Sequence, residues 1–319
     1  MSLFIKKPLE QLMAQSGADS AKGLKRTLGP MNLIALGIGA IIGAGLFVRT
    51  AAAAGDAAGP AVVISYIVAG IGCAFAGLCY AEFASMIPIA GSAYAYAYVT
   101  MGEFIAWIIG WALVLEYALA SATVSIAWSE YLNSLLGGRI PYEWCHSPWE
   151  TSLNGVSGIV NLPAILILFL LTLLLIKGTQ ESATVNSIIV VIKVSIVLLF
   201  IALGWGFINE ANYTPFTIPA DFVGHEDWRR HGWGGVLGGA GIVFFAFIGF
   251  DAVSTAAQEA KNPKRDMPIG ILGSLVICTL LFVLFSHVLT GLANWQEFKV
   301  AGKEASVAYA ITNYMPGYE

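Results

Sequence analysis

The sequence predicts an all-α integral membrane protein, and three observations support that prediction. Residues of the set AVILMFWYC make up 57% of the 319 residues, charged residues make up 11%, and the mean hydropathy is +0.75. Soluble chains carry about 25% charged residues, so this chain has too few to cover a surface in water. Apolar stretches of about 20 residues recur along the chain, and none shows the ~10-residue alternation of a membrane β-barrel strand.

Charge, cysteines and motifs exclude other classes of protein. The net charge of −4 offers no basic excess for nucleic acid. The four cysteines are too few for a disulfide framework, and three of them (Cys73, Cys79 and Cys278) lie within apolar runs as small core residues. The sequence has no zinc-protease, Ser/His/Asp or phosphate-loop motif, so an enzyme is not expected. We expect no metal site and no organic cofactor.

Seven apolar stretches are long enough for a helix to cross a bilayer. The third is long enough to be strongly tilted or to extend into water. A short helix rich in Ala and Tyr, Ser92–Thr100, is expected at the interface before it. The predicted spans are residues 31–54, 60–86, 103–135, 159–177, 181–208, 234–257 and 268–292.

The placement of lysine and arginine predicts the orientation of these spans. With the N-terminus in the cytoplasm, the inner segments hold nine basic residues and the longer outer segments hold six. The N-terminus is therefore expected on the cytoplasmic side of the cell (inner or plasma) membrane, with loops 137–158 and 209–233 outside. Residues 1–30 are expected to form a cytoplasmic segment. It is either an interfacial helix, with Leu3, Phe4 and Leu9 opposite Lys6 and Lys7, or a disordered tail.

Two spans contain glycine clusters that a regular helix disfavours. The first span contains GIGAIIGAGLF from Gly37, and the sixth contains GGAGIVFFAFIGFD from Gly238. Each glycine costs about 1 kcal/mol relative to alanine in a helix. Close packing of helices through small residues is one explanation. However, the two spans are five apart, the spacing of a five-plus-five inverted repeat in which two broken helices hold the substrate.

The backbone at such breaks can bind both charges of an amino acid. Amide N–H groups at the start of a half-helix bind a carboxylate, and carbonyl groups at the end of the other half bind an ammonium group. The predicted N–H donors are those of Gly43, Ala44 and Gly45. The predicted carbonyl acceptors lie near Ile41, Phe245, Ala246 and Ile248. The sequence therefore predicts an amino-acid site within the membrane.

Several motifs resemble the amino acid–polyamine–organocation superfamily, and more narrowly its cationic amino acid transporter branch. They are the segment from Gly37 above, CYAEFAS from Cys79, GSAYAY from Gly91, GWALVLEY from Gly110, FFAFIGFDAVSTAA from Phe244 and NPKRDMPIGI from Asn262. The resemblance runs from about Lys6 to Leu292 and implies a transporter of twelve or more spans, of which about seven are present. It implies that residues 31–208 are helices 1–5, residues 234–292 are helices 6–7, and residues 293–319 are an external loop before an absent remainder.

The resemblance also implies substrate contacts by matching positions. They fall on Ile41, Ala44, Gly45, Phe245, Ala246 and Ile248. Many members have Thr or Ser where this chain has Ala44, and Tyr where it has Phe247, so its site is expected to be less polar. The name of the branch is a poor guide to the amino acid carried, because part of the pocket wall comes from spans that this sequence does not contain.

Charged residues within the spans are costly and usually functional. Lys193 lies near the middle of the fifth span, where burial lowers a lysine pKa. The resemblance implies a role in proton coupling there, and a structural ion pair is the alternative. Glu116 is expected to pair with Lys193, to select cationic side chains, or to be a protonated acid bonded to backbone. Asp251 and Glu82 are expected to support or gate the inner half-helices, with a purely interfacial role open for Glu82. His287 is either a proton relay or a packed histidine.

Together these features predict a secondary active transporter that imports L-amino acids by proton symport. An amino-acid exchanger and a transporter-like sensor without net transport are the alternatives. A channel would need a symmetric ring of carbonyls or charges, which a pair of broken helices does not make. The expected partners are an L-amino acid and the lipid bilayer, with no nucleic acid, and the proton is the expected coupling ion.

Overall fold

The computed structural model is built of helices and the turns that join them. It describes residues 5–8, 26–152, 155–177, 179–220, 227–299 and 306–317. Within those residues the only β-type pairings are two isolated bridges, Leu28 with Ala260 and Thr151 with Ser157. The predicted all-α class is confirmed. The segment predicted as an interfacial helix or tail lies mostly outside the described residues.

We number the α-helices of the described residues in chain order. They are α1 (Pro30–Ile41), α2 (Ala44–Phe47), α3 (Arg49–Ala53), α4 (Val62–Met86), α5 (Ser92–Thr100), α6 (Glu103–Leu135), α7 (Leu162–Lys177), α8 (Thr179–Gly204), α9 (Gly232–Val243), α10 (Ala252–Thr255), α11 (Pro263–Leu292) and α12 (Ser306–Tyr314). The bounds of α5 and α6 coincide with those predicted from the sequence.

Five helical stretches among the described residues are long and apolar enough to cross a membrane. They are Arg49–Met86, Glu103–Leu135, Ser187–Phe207, Gly232–Glu259 and Pro263–Leu292. Two shorter apolar helices, Pro30–Ile41 and Leu162–Ile176, accompany them. These seven segments follow the order of the predicted spans, but Arg49–Met86 includes the end of the predicted first span as well as the second.

The first and second spans are joined by helical turns rather than by a loop. α3 continues through a π-helical turn, Ala54–Ala58, and a 3-10 turn, Gly59–Ala61, into α4. Gly59 permits this path because its φ is +63°, a value that glycine adopts without steric cost. The N–H of Ala61 donates to the carbonyl of Phe216 at 2.9 Å, which anchors the turn.

α11 begins five residues before the predicted start of the seventh span. The N–H of Asp266 donates to the carbonyl of Asn262 at 2.7 Å, and the N–H of Asn262 donates to the carboxylate of Asp266 at 3.0 Å. Pro263 occupies the first helical position, where its missing N–H breaks no helical bond. These bonds fix the helix start ahead of Pro268, which lies in the second turn.

The chain divides into two compact units. The first comprises Met1–Ile42, Ile67–Tyr117 and Phe247–Leu280, and the second comprises Gly43–Tyr66, Ala118–Ala246 and Leu281–Glu319. Both glycine-rich spans therefore pass from one unit to the other, between Ile42 and Gly43 and between Ala246 and Phe247.

Glycines allow close helix packing within each unit. In the first unit, a β-carbon at Gly37 of α1 would lie 2.9 Å from a methyl group of Val253 and would also meet Ser274 of α11. In the second unit, a β-carbon at Gly239 of α9 would lie 2.9 Å from the β-carbon of Ala58. Part of each glycine cluster thus serves packing, which was one explanation of its composition.

Candidate functional site

The first span is interrupted between α1 and α2. After Ile41 the backbone is extended at Ile42 (φ −70°, ψ 112°) and at Gly43 (φ −159°, ψ −153°), and α2 begins at Ala44. The carbonyl of Gly43 accepts from the N–H of Leu46 at 3.1 Å. The first N–H groups of a helix have no partner inside it. The N–H groups of Gly43, Ala44 and Gly45 therefore stand at this break, as the sequence predicted.

The surroundings of these residues differ. A β-carbon at Gly43 would meet no described atom within 4 Å, so that position borders open space. The Ala44 side chain is buried in an apolar cluster, and so Ala44 offers a ligand its backbone N–H rather than its methyl group. The other members of the cluster are Val48, Ala127, Phe47 and Tyr131.

Buried hydroxyl groups hold the backbone that follows the break. The Thr50 hydroxyl donates to the carbonyl of Leu46 at 2.6 Å and is 2.7 Å from the Tyr66 hydroxyl. The Tyr66 hydroxyl also lies 3.5 Å from the carbonyl of Gly45. Thr50 and Tyr66 are both 0% exposed, so no water competes for these bonds. This network holds the carbonyl groups of Gly45 and Leu46 in α2.

The α-helix of the sixth span ends at Val243. A 3-10 turn covers Phe244–Phe247, and turns lead from there to α10. Gly249 has a φ of +105°, which residues with a side chain rarely adopt. Both predicted interruptions, in the first and sixth spans, are confirmed.

Within each unit, backbone of the first span lies against backbone of the sixth. In the second unit, a β-carbon at Gly45 would lie 2.8 Å from the amide nitrogen of Ala246. In the first unit, a β-carbon at Gly249 would lie 2.8 Å from the carbonyl oxygen of Ala40. Real β-carbons essentially never come this close, so glycine is needed at both positions for the backbones to approach.

The predicted substrate contacts are divided between the units. Ile41 and Ile248 belong to the first unit, and the others to the second: Gly43, Ala44, Gly45, Phe245 and Ala246. Ile41 and Ala246 are 2% and 1% exposed, whereas Phe245 and Ile248 are half-buried. Contact of these residues with a substrate stays a prediction.

A cation lies beside Phe245 in the second unit. Arg49 is half-buried at the first position of α3, and its Cζ lies 5.5 Å from the centroid of the Phe245 ring. A guanidinium group at this distance from a ring face is attracted by the ring electrons. Sequence reasoning had counted Arg49 only among the basic residues of the outer side.

Asp251 is a buried carboxylate held by hydroxyl groups of the first unit. It is 4% exposed, and the Tyr117 hydroxyl donates to its two oxygens at 3.1 and 3.0 Å. The Ser92 hydroxyl donates to the same carboxylate at 3.3 Å. Asp251 thereby ties the sixth span to α5 and α6, which is compatible with the predicted supporting role. No ion pair between Asp251 and a basic residue occurs within the described residues.

The other charged candidates occupy different environments. Lys193 is half-buried in α8 of the second unit, and Glu116 is half-buried in α6 of the first. Glu82 is exposed, as an interfacial acid would be. The predicted pairing of Lys193 with Glu116 stays a prediction.

His287 has the contacts of a packed histidine. Its ring stacks on Tyr213, with the centroids 4.9 Å apart and the planes at 5°, and its Nε2 lies 3.3 Å from the Tyr213 hydroxyl. That hydroxyl donates to the carbonyl of His287 at 3.0 Å. Burial and the nearby Glu210 raise the pKa of Tyr213 to about 12, so the hydroxyl stays protonated at neutral pH. Of the two alternatives for His287, these contacts favour packing.

Sequence reasoning missed the hydroxyl groups that support the breaks. Thr50, Tyr66, Ser92 and Tyr117 are scattered polar residues in apolar segments, and their partners lie up to 159 positions away. A hydroxyl in an apolar helix signals only that some acceptor exists nearby, because it can bond to its own helix as well. The partners therefore needed the tertiary structure.

Comparison with known proteins identifies the family. The model of the amino acid permease family matches residues 28–314, which include both interrupted spans. The chain belongs to this family. This agrees with the superfamily that the sequence motifs resemble. The family and the apolar helices together indicate a multi-pass membrane protein, and the relatives that the chain matches are named permeases and transporters rather than enzymes.

Individual relatives show the same relationship. The permease is 45% identical over 302 residues to a methylthioribose transporter of Bacillus subtilis (strain 168), covering 94% of this chain and 61% of that protein. It is 45% identical over 313 residues to the branched-chain amino acid permease BcaP of the same organism, covering 97% and 63%. It is also 36% identical over 279 residues to the vacuolar cationic amino acid transporter 4 of Arabidopsis thaliana, covering 87% and 45%. The chain spans less than two thirds of the length of each.

Proposed function

We propose that the full-length permease imports L-amino acids across the cell membrane by proton symport. The N-terminus lies in the cytoplasm, and the substrate binds at the interruptions of the first and sixth spans. The observation that carries this proposal is the half-buried backbone at Gly43, which stands before the N–H groups of Ala44 and Gly45 and borders open space.

A backbone site suits the charges that all amino acids share. The N–H groups at the start of α2, together with the positive end of the helix dipole, attract a carboxylate. The carbonyl groups that we propose as acceptors for an ammonium group lie at the interruptions, near Ile41 and near Phe245–Ala246. A zwitterion is thus bound without a charged side chain, while the neighbouring side chains remain free to set the preference among amino acids.

The side chains named for this site are apolar. They come from Ile41, Phe245, Ala246 and Ile248, which suit an aliphatic side chain, whereas Ala44 contributes its backbone N–H. One relative is named a branched-chain amino acid permease, which supports leucine, isoleucine and valine as first candidates. Other relatives are named for methylthioribose and for cationic amino acids, so substrates must be compared directly.

Lys193 is our candidate for proton coupling. It lies in α8, half-buried within a stretch suited to cross the membrane. An ammonium group, unlike a guanidinium group, can release and regain a proton. If protonation and substrate binding stabilise the same conformation, the two are linked, and that linkage makes a symporter. Glu116 is our candidate for a second group in this step.

The experiment is uptake of radiolabelled L-leucine by the full-length protein in proteoliposomes. Symport predicts accumulation above the external concentration when an inward proton gradient is imposed, and collapse of that accumulation with a protonophore. Competition by all twenty amino acids then gives the range of substrates. Uptake that requires an amino acid inside the vesicle would replace symport by exchange. Binding without uptake would indicate a sensor, and no binding of any amino acid would overturn the proposal.

A further inference from the structure

Arg49 places a fixed positive charge next to one of the proposed substrate contacts. Its Cζ is 5.5 Å from the centroid of the Phe245 ring, and both residues belong to the second unit. Arg49 begins α3, two residues after the end of α2, so the guanidinium group is close in sequence to the N–H groups at the start of α2. Unlike an ammonium group, a guanidinium group stays charged at every physiological pH.

No carboxylate neutralises this charge among the described residues. The one ion pair in that part of the chain joins His146 to Glu130. Arg49 has instead an aromatic ring beside it, which attracts the guanidinium group but leaves its net charge unchanged. Because Arg49 is half-buried, water screens the charge only in part.

We propose that Arg49 is a specificity-determining residue that excludes amino acids with cationic side chains, so that the permease selects neutral ones. This inference rests on the proposed function and names its substrate class. The positive charge of Arg49 beside Phe245 is compatible with a substrate carboxylate at the start of α2. It opposes a second ammonium or guanidinium group on the substrate that approaches Phe245.

The size of the effect follows from the Coulomb energy. Two like charges ~6–10 Å apart, at an effective dielectric constant of about 20, weaken binding by roughly tenfold to a hundredfold. Because Arg49 is partly exposed, we expect binding of a cationic substrate to be weakened by about tenfold. A tenfold difference between two substrates that differ only in charge is readily measured.

The test compares L-norleucine with L-lysine, because lysine has the same unbranched carbon chain with an ammonium group on its last carbon. Uptake and competition are measured with the full-length protein in proteoliposomes. We expect the wild type to prefer norleucine by at least tenfold. Arg49→Gln and Arg49→Met should each reduce that preference about tenfold, chiefly by admitting lysine, and Arg49→Lys should retain it because the charge remains.

The chain offers a matched control. The Cζ of Arg229 lies 5.8 Å from the Trp228 ring, an exposed cation–aromatic pair in the turn that precedes α9. Arg229→Gln removes the same charge and the same type of contact, and should leave the ratio of norleucine to lysine unchanged. An equal shift in this variant would show that the effect comes from the general surface charge, and would overturn the inference.

The remaining outcomes separate the inference from the function on which it rests. If norleucine is taken up but the wild type accepts lysine equally well, the inference fails and the proposed function stands. The same holds if Arg49→Gln and Arg49→Met leave the preference unchanged. If neither amino acid is bound or taken up by the wild type, both fail together. Should the Gln and Met variants not fold, a wild type that accepts lysine as well as norleucine still overturns the inference.

Discussion

The amide nitrogen of Ala246 lies 2.8 Å from the point that a β-carbon on Gly45 would occupy. Backbone of the first span and backbone of the sixth are therefore in direct contact in the second unit. A β-carbon on Gly43, two residues earlier, would have no described neighbour within 4 Å. Two glycines of one motif thus have different reasons to lack a side chain.

This difference predicts that the same substitution impairs stability at Gly45 and substrate binding at Gly43. Gly45→Ala should destabilise the protein by about 1–3 kcal/mol, because the added methyl group overlaps backbone that cannot move aside. Gly43→Ala should leave stability within ~0.5 kcal/mol and weaken amino-acid binding, because its methyl group projects beside the N–H groups. Thermal unfolding and equilibrium binding of both variants check this. Wild-type binding in Gly43→Ala would remove Gly43 from the site.

The second prediction concerns the pair of hydroxyl groups behind α2. Thr50→Val and Tyr66→Phe should each cost about 1 kcal/mol, the net value of a buried hydrogen bond. Because the two hydroxyls are 2.7 Å apart, the double variant should lose less than the sum of the single losses. A double-mutant cycle on the free energy of unfolding measures the coupling. Strict additivity would show that the two hydroxyls act independently.

The third prediction concerns Asp251. Asp251→Ala should lower stability by about 1–3 kcal/mol and reduce uptake, because the Tyr117 and Ser92 hydroxyls lose their buried acceptor. Asp251→Asn keeps an acceptor oxygen and should be milder. Glu103→Gln is the control, since Glu103 is exposed at the first position of α6, and it should leave stability and uptake unchanged. Equal losses in Glu103→Gln would point to a general effect of acidic residues instead.

The fourth prediction tests the coupling step at Lys193. Lys193→Met should retain amino-acid binding but lose accumulation driven by a proton gradient. Lys193→Arg should also lose it, because a guanidinium group cannot release its proton. Uptake with and without an imposed pH gradient distinguishes binding from coupling. Gradient-driven accumulation by Lys193→Met would leave Lys193 a structural role only and place coupling elsewhere.

Much of the helical architecture could be predicted because it depends on local chemistry. The predicted bounds of the helices Ser92–Thr100 and Glu103–Leu135 match the structure, since apolar length and helix-ending residues set them. The start of α11 was missed by five residues, because reciprocal bonds between Asn262 and Asp266 extend the helix before its apolar part. The π-helical turn Ala54–Ala58 was missed as well, since the anchor of the following turn is Phe216, far along the chain.

The sequence by itself determined that this chain is an α-helical membrane protein of a transporter family, and where its two helices break. Apolar length and clustered glycines are local properties that no distant residue can cancel. Only the tertiary structure decided which glycine contacts Ala246, which hydroxyls hold Asp251, and which aromatic ring faces Arg49. These contacts join residues up to about two hundred positions apart, and a pair of that kind is specified by the packing of whole helices rather than by either residue.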